Sequence, residues 1–257
     1  DCVGGTVGCT CFVIPHEAAT GQTLLGQTYD LSAFRQRFNI VLRIQPDDGP
    51  AQLVYSLAGM VGLAGLNEHG LGININYLSS NDCQPGTLHA VIVRQVLGAA
   101  NLADAVAAPT GGTRAGGSHY LVADDAGHVV SVETTAEQFA LLYPDGKPYG
   151  HTNHYLSDWL QPRQVVRSSS IGSSIARYTA LRKFLQRDDL DRETLKSMTA
   201  DHSSYPRSIC AHGGPDDPEL YRGRTIAAMI QVLGERTMHI CGGCACESPY
   251  QAISLEA

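Results

Sequence analysis

Apolar residues alternate with small or polar ones through Leu71, Ile73, Ile75 and Tyr77, with Gly72, Asn74 and Asn76 between them. A period of two predicts a half-buried β-strand over 71–77. Two β-rich runs, 9–14 and 23–29, flank a turn at 16–21 and read as a hairpin. A strand is expected at 38–44. A second hairpin is expected from 120–123 and 129–134, turning at Asp124-Asp125-Ala126-Gly127, with 139–142 continuing that sheet. The uncharged stretch 53–66 contains Gly and Ser and is too short to span a bilayer, so it reads as buried sheet or a packed turn.

The period changes to that of a helix over 88–107, where Val91, Ile92, Val96, Ala99, Leu102, Ala103 and Val106 share one face. It returns over 175–185 through Ile175, Tyr178, Leu181, Phe184 and Leu185. A short helix at 191–198 is capped by Asp191. Strands at 225–232 and 238–240 close the chain. Strands, then helices, then strands predict an α+β protein of two antiparallel sheets layered with helices.

Composition narrows the classes of function. At 257 residues, 43% apolar and 17% charged, the chain can bury a sizeable core as one domain or two tightly fused halves. A net charge of −7 without a basic cluster argues against a nucleic-acid partner. No stretch suits a membrane. The chain opens on Asp1 and is expected to be a processed or trimmed form of something longer, which leaves export unread. The eight cysteines (2, 9, 11, 83, 210, 241, 244 and 246) are unevenly scattered, and there is no Asn-x-Ser/Thr sequon. Both features point to free thiols in a reducing, cytoplasmic setting.

The chemistry of greatest interest lies in Gly8-Cys9-Thr10-Cys11-Phe12. Cleavage before Cys9 would give it a free α-amine, with an ordinary pKa of about 7.7–8.0. Such an amine can take the thiol proton itself, so no separate histidine is needed. Taken alone, Cys9 is equally a buried structural cysteine. Asp30, in Gly26-Gln27-Thr28-Tyr29-Asp30, ends the partner strand of the hairpin and should return beside Cys9, where a carboxylate could orient the amine.

The GCTCF start followed by GQTYD resembles the mature start of the acyl-CoA:6-aminopenicillanic acid acyltransferase family, which shares its fold with choloylglycine hydrolases and penicillin V acylases. Here Cys11 stands at the usual Thr/Ser position and Thr28 replaces Asn. The resemblance continues in GLNEHGLGININYL (65–78), SHYLVADDAGHVVSVE (118–133), HTNHY (151–155), GRTIAAMI (223–230) and CACESPYQAISL (244–255). Together these motifs span nearly the whole chain from residue 8.

The resemblance implies a four-layer αββα sandwich of the N-terminal-nucleophile hydrolases. Residues 1–8 would end an upstream propeptide or small subunit, and 9–257 would be the catalytic domain. It implies Cys9 as the autoproteolytic and catalytic nucleophile, Asp30 bonding the freed amine, and Asn153 as an oxyanion donor with Asn76 as a second candidate. Arg224 or Arg222 would supply a site arginine. Substrates would be small acyl amides or acyl-CoA, with the chain's own upstream segment as partner, a homo-oligomer possible, and no cofactor or metal required.

Several alternatives stand beside this reading. Cys11 is a rival nucleophile, because its spacing to Asp30 fits choloylglycine hydrolases without a gap. Cys241-x2-Cys244-x-Cys246, with Cys210 or His239 as a fourth ligand, has a zinc-like look, but its spacing is tight and lacks a second CxxC. His151 and His154 read as flanks of the Asn153 motif rather than as metal ligands. A non-catalytic binding or structural protein on the same fold is the alternative function.

Overall fold

Two antiparallel sheets stack face to face, and each carries a pair of helices on its outer surface. This computed structural model describes residues 8–18, 21–166, 168–214 and 223–255. The first sheet contains β1 (Gly8–Ile14), β2 (Leu24–Ser32), β10 (Tyr149–His151), β11 (Gly223–Val232), β12 (Thr237–Cys241) and β13 (Gln251–Ser254), in the order β10-β1-β2-β11-β12-β13. The second runs in sequence order: β3 (Asn39–Ile44), β4 (Gln52–Leu57), β5 (Ala64–Asn67), β6 (Gly72–Tyr77), β7 (Ser118–Ala123), β8 (Val129–Thr134) and β9 (Phe139–Leu142). Helices α1 (His89–Leu97) and α2 (Leu102–Thr110) pack on the second sheet. Helices α3 (Ser168–Phe184) and α4 (Arg192–Thr199) pack on the first. This is the four-layer αββα sandwich of the N-terminal-nucleophile hydrolases.

Side-chain alternation along β1 divides its residues between two cores. Phe12 and Ile14 join Leu181, Leu195, Met198 and Ile230 beneath α3 and α4. Cys9, Cys11 and Val13 turn the other way, into the core shared with the second sheet. The expected first hairpin is therefore correct, and it runs Cys9 opposite Tyr29 and Gly8 opposite Asp30.

Three expectations need correction, and a fourth, buried sheet or a packed turn over 53–66, is borne out. The helix read over 88–107 is two helices. Gly98 ends α1, and the Asn101 side chain caps α2 by accepting from Asp104 N at 3.0 Å. Both helices lie on the same sheet, so the apolar stripe continues across the break. The stretch 53–66 divides into the paired strands β4 and β5. Strand β6 forms as read but is buried on both faces up to Tyr77, because Asn74 and Asn76 face the opposing sheet rather than water. The thiols are not all free: Cys83 is disulfide-bonded.

The seam between the sheets is tied by side-chain amides. Gln27 donates to Ile75 O at 2.5 Å and accepts from Ile75 N at 3.1 Å. Asn74 donates to Gly26 O at 2.7 Å, and Gln231 donates to Asn74 Oδ1 at 2.7 Å. Each such bond contributes about 1 kcal/mol net, whereas a missing partner in so dry a place costs more. Among the described residues no helix is long and apolar enough to cross a membrane.

Candidate active site

The backbone of Cys9 is the point on which the polar groups converge. Strand β1 runs unbroken through it. The backbone N–H of Cys9 donates to Asn153 Oδ1 at 2.8 Å. The carbonyl of Cys9 accepts from Asn76 Nδ2 at 3.0 Å and from Arg177 Nη1 at 2.6 Å. Arg177 also donates to Thr10 Oγ1 at 3.0 Å and, through Nη2, to Asn153 Oδ1 at 2.8 Å. Backbone groups on both sides of residue 9 are thus fixed by three side chains from three elements.

Cys9 itself is 1% exposed. Burial pushes its thiol up to about 12, with the nearby Asp30 charge adding to the rise. Arg177 and the backbone N–H groups of Asp30 and Tyr77 oppose that rise by favouring the thiolate. The side chain of Cys9 therefore rests as a thiol.

Asp30 sits on the other side of the peptide. Burial raises its carboxyl from 3.8 to about 6, against the pull of Arg177 and a hydrogen bond from Thr225. That bond, Thr225 Oγ1 to Asp30 Oδ1, is 2.7 Å long. A carboxyl poised near neutrality in a dry site is suited to proton transfer.

Asn153 reaches the site from the loop after β10. Its Nδ2 donates to Tyr77 O at 3.0 Å, and its own N–H donates to Ser174 Oγ at 2.8 Å. The loop is clamped by buried Glu133, which accepts from His151 Nε2 at 2.8 Å, Leu156 N at 2.6 Å and Ser157 N at 3.0 Å. His154 packs edge-on against Tyr178, and burial lowers its imidazole to about 4. His151 and His154 thus serve the loop and its surroundings.

Cys11 lies one pleat deeper on the same face. Its thiol donates to Asn76 Oδ1 at 2.7 Å. Because Asn76 Nδ2 is committed to Cys9 O, its Oδ1 must accept, so His119 Nδ1, 2.8 Å away, is the protonated ring nitrogen. His119 Nε2 then accepts from Ser131 Oγ at 2.9 Å, which in turn meets Tyr149 OH at 3.0 Å. Burial holds the Cys11 thiol well above its ordinary value and His119 well below its own. This network occupies the amide of Asn76, which anchors the Cys9 strand.

The structure brings Cys9, Asp30, Asn153 and Asn76 together, but not Arg224. That side chain points to Cys244 Sγ at 3.0 Å and Glu247 Oε2 at 2.6 Å. Arg222 lies outside the described residues. The guanidinium beside Cys9 belongs to Arg177, which sequence reading missed. The stripe read on this helix placed Ile175 inward, whereas Ile175 is 50% exposed and Arg177 is 2% exposed. The inward face carries Ser174, Arg177 and Leu181, and its polar half serves the site. Close approach of α3 to β10 depends on Gly150, where a Cβ would stand 2.3 Å from Leu181 Cδ2.

Comparison with known proteins agrees with this fold. The family model described as acyl-coenzyme A:6-aminopenicillanic acid acyl-transferase matches residues 18–244. No curated protein sequence matches significantly. Among solved structures, a mutant of the conjugated bile acid hydrolase from Clostridium perfringens superposes with a TM-score of 0.63 at 14% identity, covering 96% of this chain and 92% of that one. The Caenorhabditis elegans ortholog of N-acylethanolamine-hydrolyzing acid amidase gives 0.59 at 16% identity, covering 88% and 93%. Penicillin V acylase from Agrobacterium tumefaciens gives 0.51 at 15% identity, covering 96% and 86%.

Proposed function

This chain belongs to the acyl-coenzyme A:6-aminopenicillanic acid acyltransferase family, and from that premise we propose that it is a self-processing cysteine amidohydrolase or acyltransferase with Cys9 as its nucleophile. The observation that carries the reading is the convergence of four side chains on the backbone around Cys9, deep in a dry seam: Asp30 lies against Gly8, Asn153 accepts from Cys9 N, and Asn76 and Arg177 hold Cys9 O.

Processing begins when Cys9 Sγ gives up its proton and attacks the Gly8 carbonyl carbon. Asp30 is the group poised to take that proton. The C–N bond breaks, the nitrogen is protonated to a free α-amine, and the acyl group rests on sulfur as a thioester. Water then hydrolyses the thioester, leaving a carboxylate on Gly8 and a free thiol on Cys9. Residues 1–8 are thereby separated from the catalytic domain, 9–257, and serve as the end of a small subunit.

The same atoms then work on substrate. The α-amine accepts the thiol proton, and the sulfur attacks an acyl amide or thioester carbonyl. Asn153 lies beside the amine and offers its remaining Nδ2 proton to the oxyanion. The leaving amine takes a proton from the α-ammonium, and water or an acceptor amine releases the acyl group. Asn76 and Arg177 hold the Cys9 carbonyl, which keeps the sulfur aimed. The names of the structural relatives speak of bile acid conjugates, N-acylethanolamines and penicillin V, which supports a small acyl amide as substrate. The disulfide at Cys83 supports an oxidising compartment rather than the cytoplasm.

Intact-mass analysis of freshly purified protein tests the reading. Wild type should lose everything before Cys9, and Cys9→Ala should retain it. A wild-type chain that stays whole while fully active would overturn the mechanism.

A further inference from the structure

On the far side of Thr225 from Asp30, three chain segments bring four soft ligands to one point at the surface. His202 and the pair Cys210 and His212 come from the segment after α4, and Cys246 comes from the connection between β12 and β13. One ligand atom from each of the four lies within 4.8 Å of the others. We propose that His202, Cys210, His212 and Cys246 bind a single zinc ion as a closed structural site.

Four of the six distances among these atoms match the edges of a tetrahedron. With zinc–sulfur bonds of about 2.3 Å and zinc–nitrogen bonds of about 2.05 Å, the edges should be roughly 3.8 Å between sulfurs, 3.6 Å between sulfur and nitrogen, and 3.3 Å between nitrogens. The sulfurs of Cys210 and Cys246 are 3.6 Å apart. His212 Nε2 lies 3.6 Å from Cys210 Sγ, 3.4 Å from Cys246 Sγ and 3.0 Å from His202 Nε2. Each measured edge falls within a few tenths of an ångström of its expected value.

The surroundings are also those of a metal site. With Nε2 of His212 on the ion, its Nδ1–H faces Glu247 Oε1 at 3.3 Å. Glu247 is itself held by Arg224 at 2.6 Å. A carboxylate behind a ligating histidine fixes its tautomer and strengthens it as a ligand. Two thiols lie in contact here without joining, in a chain that forms a disulfide elsewhere. A shared metal accounts for both thiols remaining separate. Binding requires no redox partner: two thiols release two protons as they become thiolates.

The zinc-like spacing weighed from the sequence held two of these ligands, Cys210 and Cys246, beside cysteines that turn away. Cys241 turns its thiol inward to Ser248 O at 3.3 Å, and Cys244 takes the Arg224 guanidinium. His202 and His212, absent from the local cysteine pattern, complete the set. The site also reaches the catalytic centre: Ala211 N, between two ligands, donates to Thr225 Oγ1 at 2.8 Å, the hydroxyl that bonds Asp30.

The test is metal analysis of the full chain purified from medium containing Zn²⁺. Elemental mass spectrometry should find about one zinc per chain. Exchange with Co²⁺ should give the visible bands of a tetrahedral ion and a thiolate-to-cobalt charge-transfer band. His212→Ala and Cys246→Ser should each lose the metal. Cys241→Ser should keep it, and Glu247→Gln should weaken Zn²⁺ binding by about 10–100-fold. A wild-type chain that takes up neither ion overturns the site. So does a Cys210–Cys246 disulfide found by non-reducing peptide mapping, or full zinc content in His212→Ala. If the ligand variants misfold, the cobalt spectrum of wild type alone decides, because it reports geometry and sulfur ligation directly.

Discussion

The carboxylate of Asp30 fills the space that any side chain on residue 8 would need. A methyl group there would stand 2.7 Å from Asp30 Oδ2 and 3.4 Å from Arg177 Nη2. Glycine at this position lets a buried acid lie directly against the peptide bond to be cut. Gly8→Ala should push the carboxylate away and slow self-cleavage by at least tenfold, while Gly8→Val should abolish it. A time course of intact mass after refolding measures both. Wild-type cleavage in Gly8→Val would show that this contact is irrelevant to processing.

Acid should affect processing and stability in opposite directions. The folded carboxyl of Asp30 is raised from 3.8 to about 6. Its contribution to stability is therefore fully present below its unfolded value and is lost as pH rises through about 6, an effect of about 3 kcal/mol for this group alone. The ionised form, which accepts the Cys9 proton, is populated only above about 6. The first-order rate of cleavage should fall on acidification through that point, and Asp30→Asn should be slow at every pH. A flat rate between pH 5 and 8 in wild type would remove Asp30 as the base.

Arg177 is the cation that holds Asp30 down and grips Cys9 O and Asn153. Arg177→Met should move the midpoint of the processing profile upward from about 6. Removing so buried a guanidinium also strands Cys9 O, Thr10 Oγ1 and Asn153 Oδ1, so it should lower stability in unfolding experiments. Arg177→Lys keeps the charge, so it should restore the midpoint without restoring the full rate. A purely structural arginine would lower stability but leave the midpoint in place.

Asn153→Ala should lower kcat by about 10²–10³-fold with little change in KM, since an oxyanion donor acts as charge develops. Loss of the acceptor for Cys9 N should also slow processing. Melting temperature and active-site-titrated kcat from one preparation separate catalysis from loop support. A kcat within about threefold of wild type would leave Asn153 as a loop residue only.

The two rival cysteines should respond differently to alkylation. In uncleaved protein both are buried, and both thiols are held above their ordinary values. Neither should react quickly with iodoacetamide, whereas the exposed Cys246 should react in metal-free protein. After cleavage Cys9 alone should become fast. Cys11→Ser should still process, and a Cys11 that labels first would reverse the assignment.

The hairpin that pairs Cys9 with Tyr29 was legible because its alternation and turn are local. The same alternation set Cys9 and Cys11 on one face, so it could not choose between them. What escaped sequence reading was polar and buried. Asn74 read as part of a solvent face, and Asn76 entered only through the family resemblance, because pattern arguments assume that polar means wet. Arg177 was lost for the same reason, since a guanidinium on a helix normally marks the outside. Strand β10 is too short to carry a period, yet it positions the Asn153 loop. Arg224 was drawn in by motif alignment, and its actual partners at the C-terminal cysteines are set by contacts that no local spacing encodes.

The amide ties across the seam, Gln27 to Ile75 and Asn74 to Gly26, act as alignment pins. An oily interface tolerates sliding, because one methyl contact replaces another at little cost. Here a slip of a single residue would strand several donors and acceptors in a dry layer. The sheets therefore have one docked position rather than a continuum of them. The proposed nucleophile, Cys9, comes from one sheet, and the Tyr77 backbone that faces its sulfur comes from the other. Their separation is thus set by the pins, not by the loops that join the strands. Those loops can vary in length and sequence without disturbing the alignment of Cys9 and Tyr77.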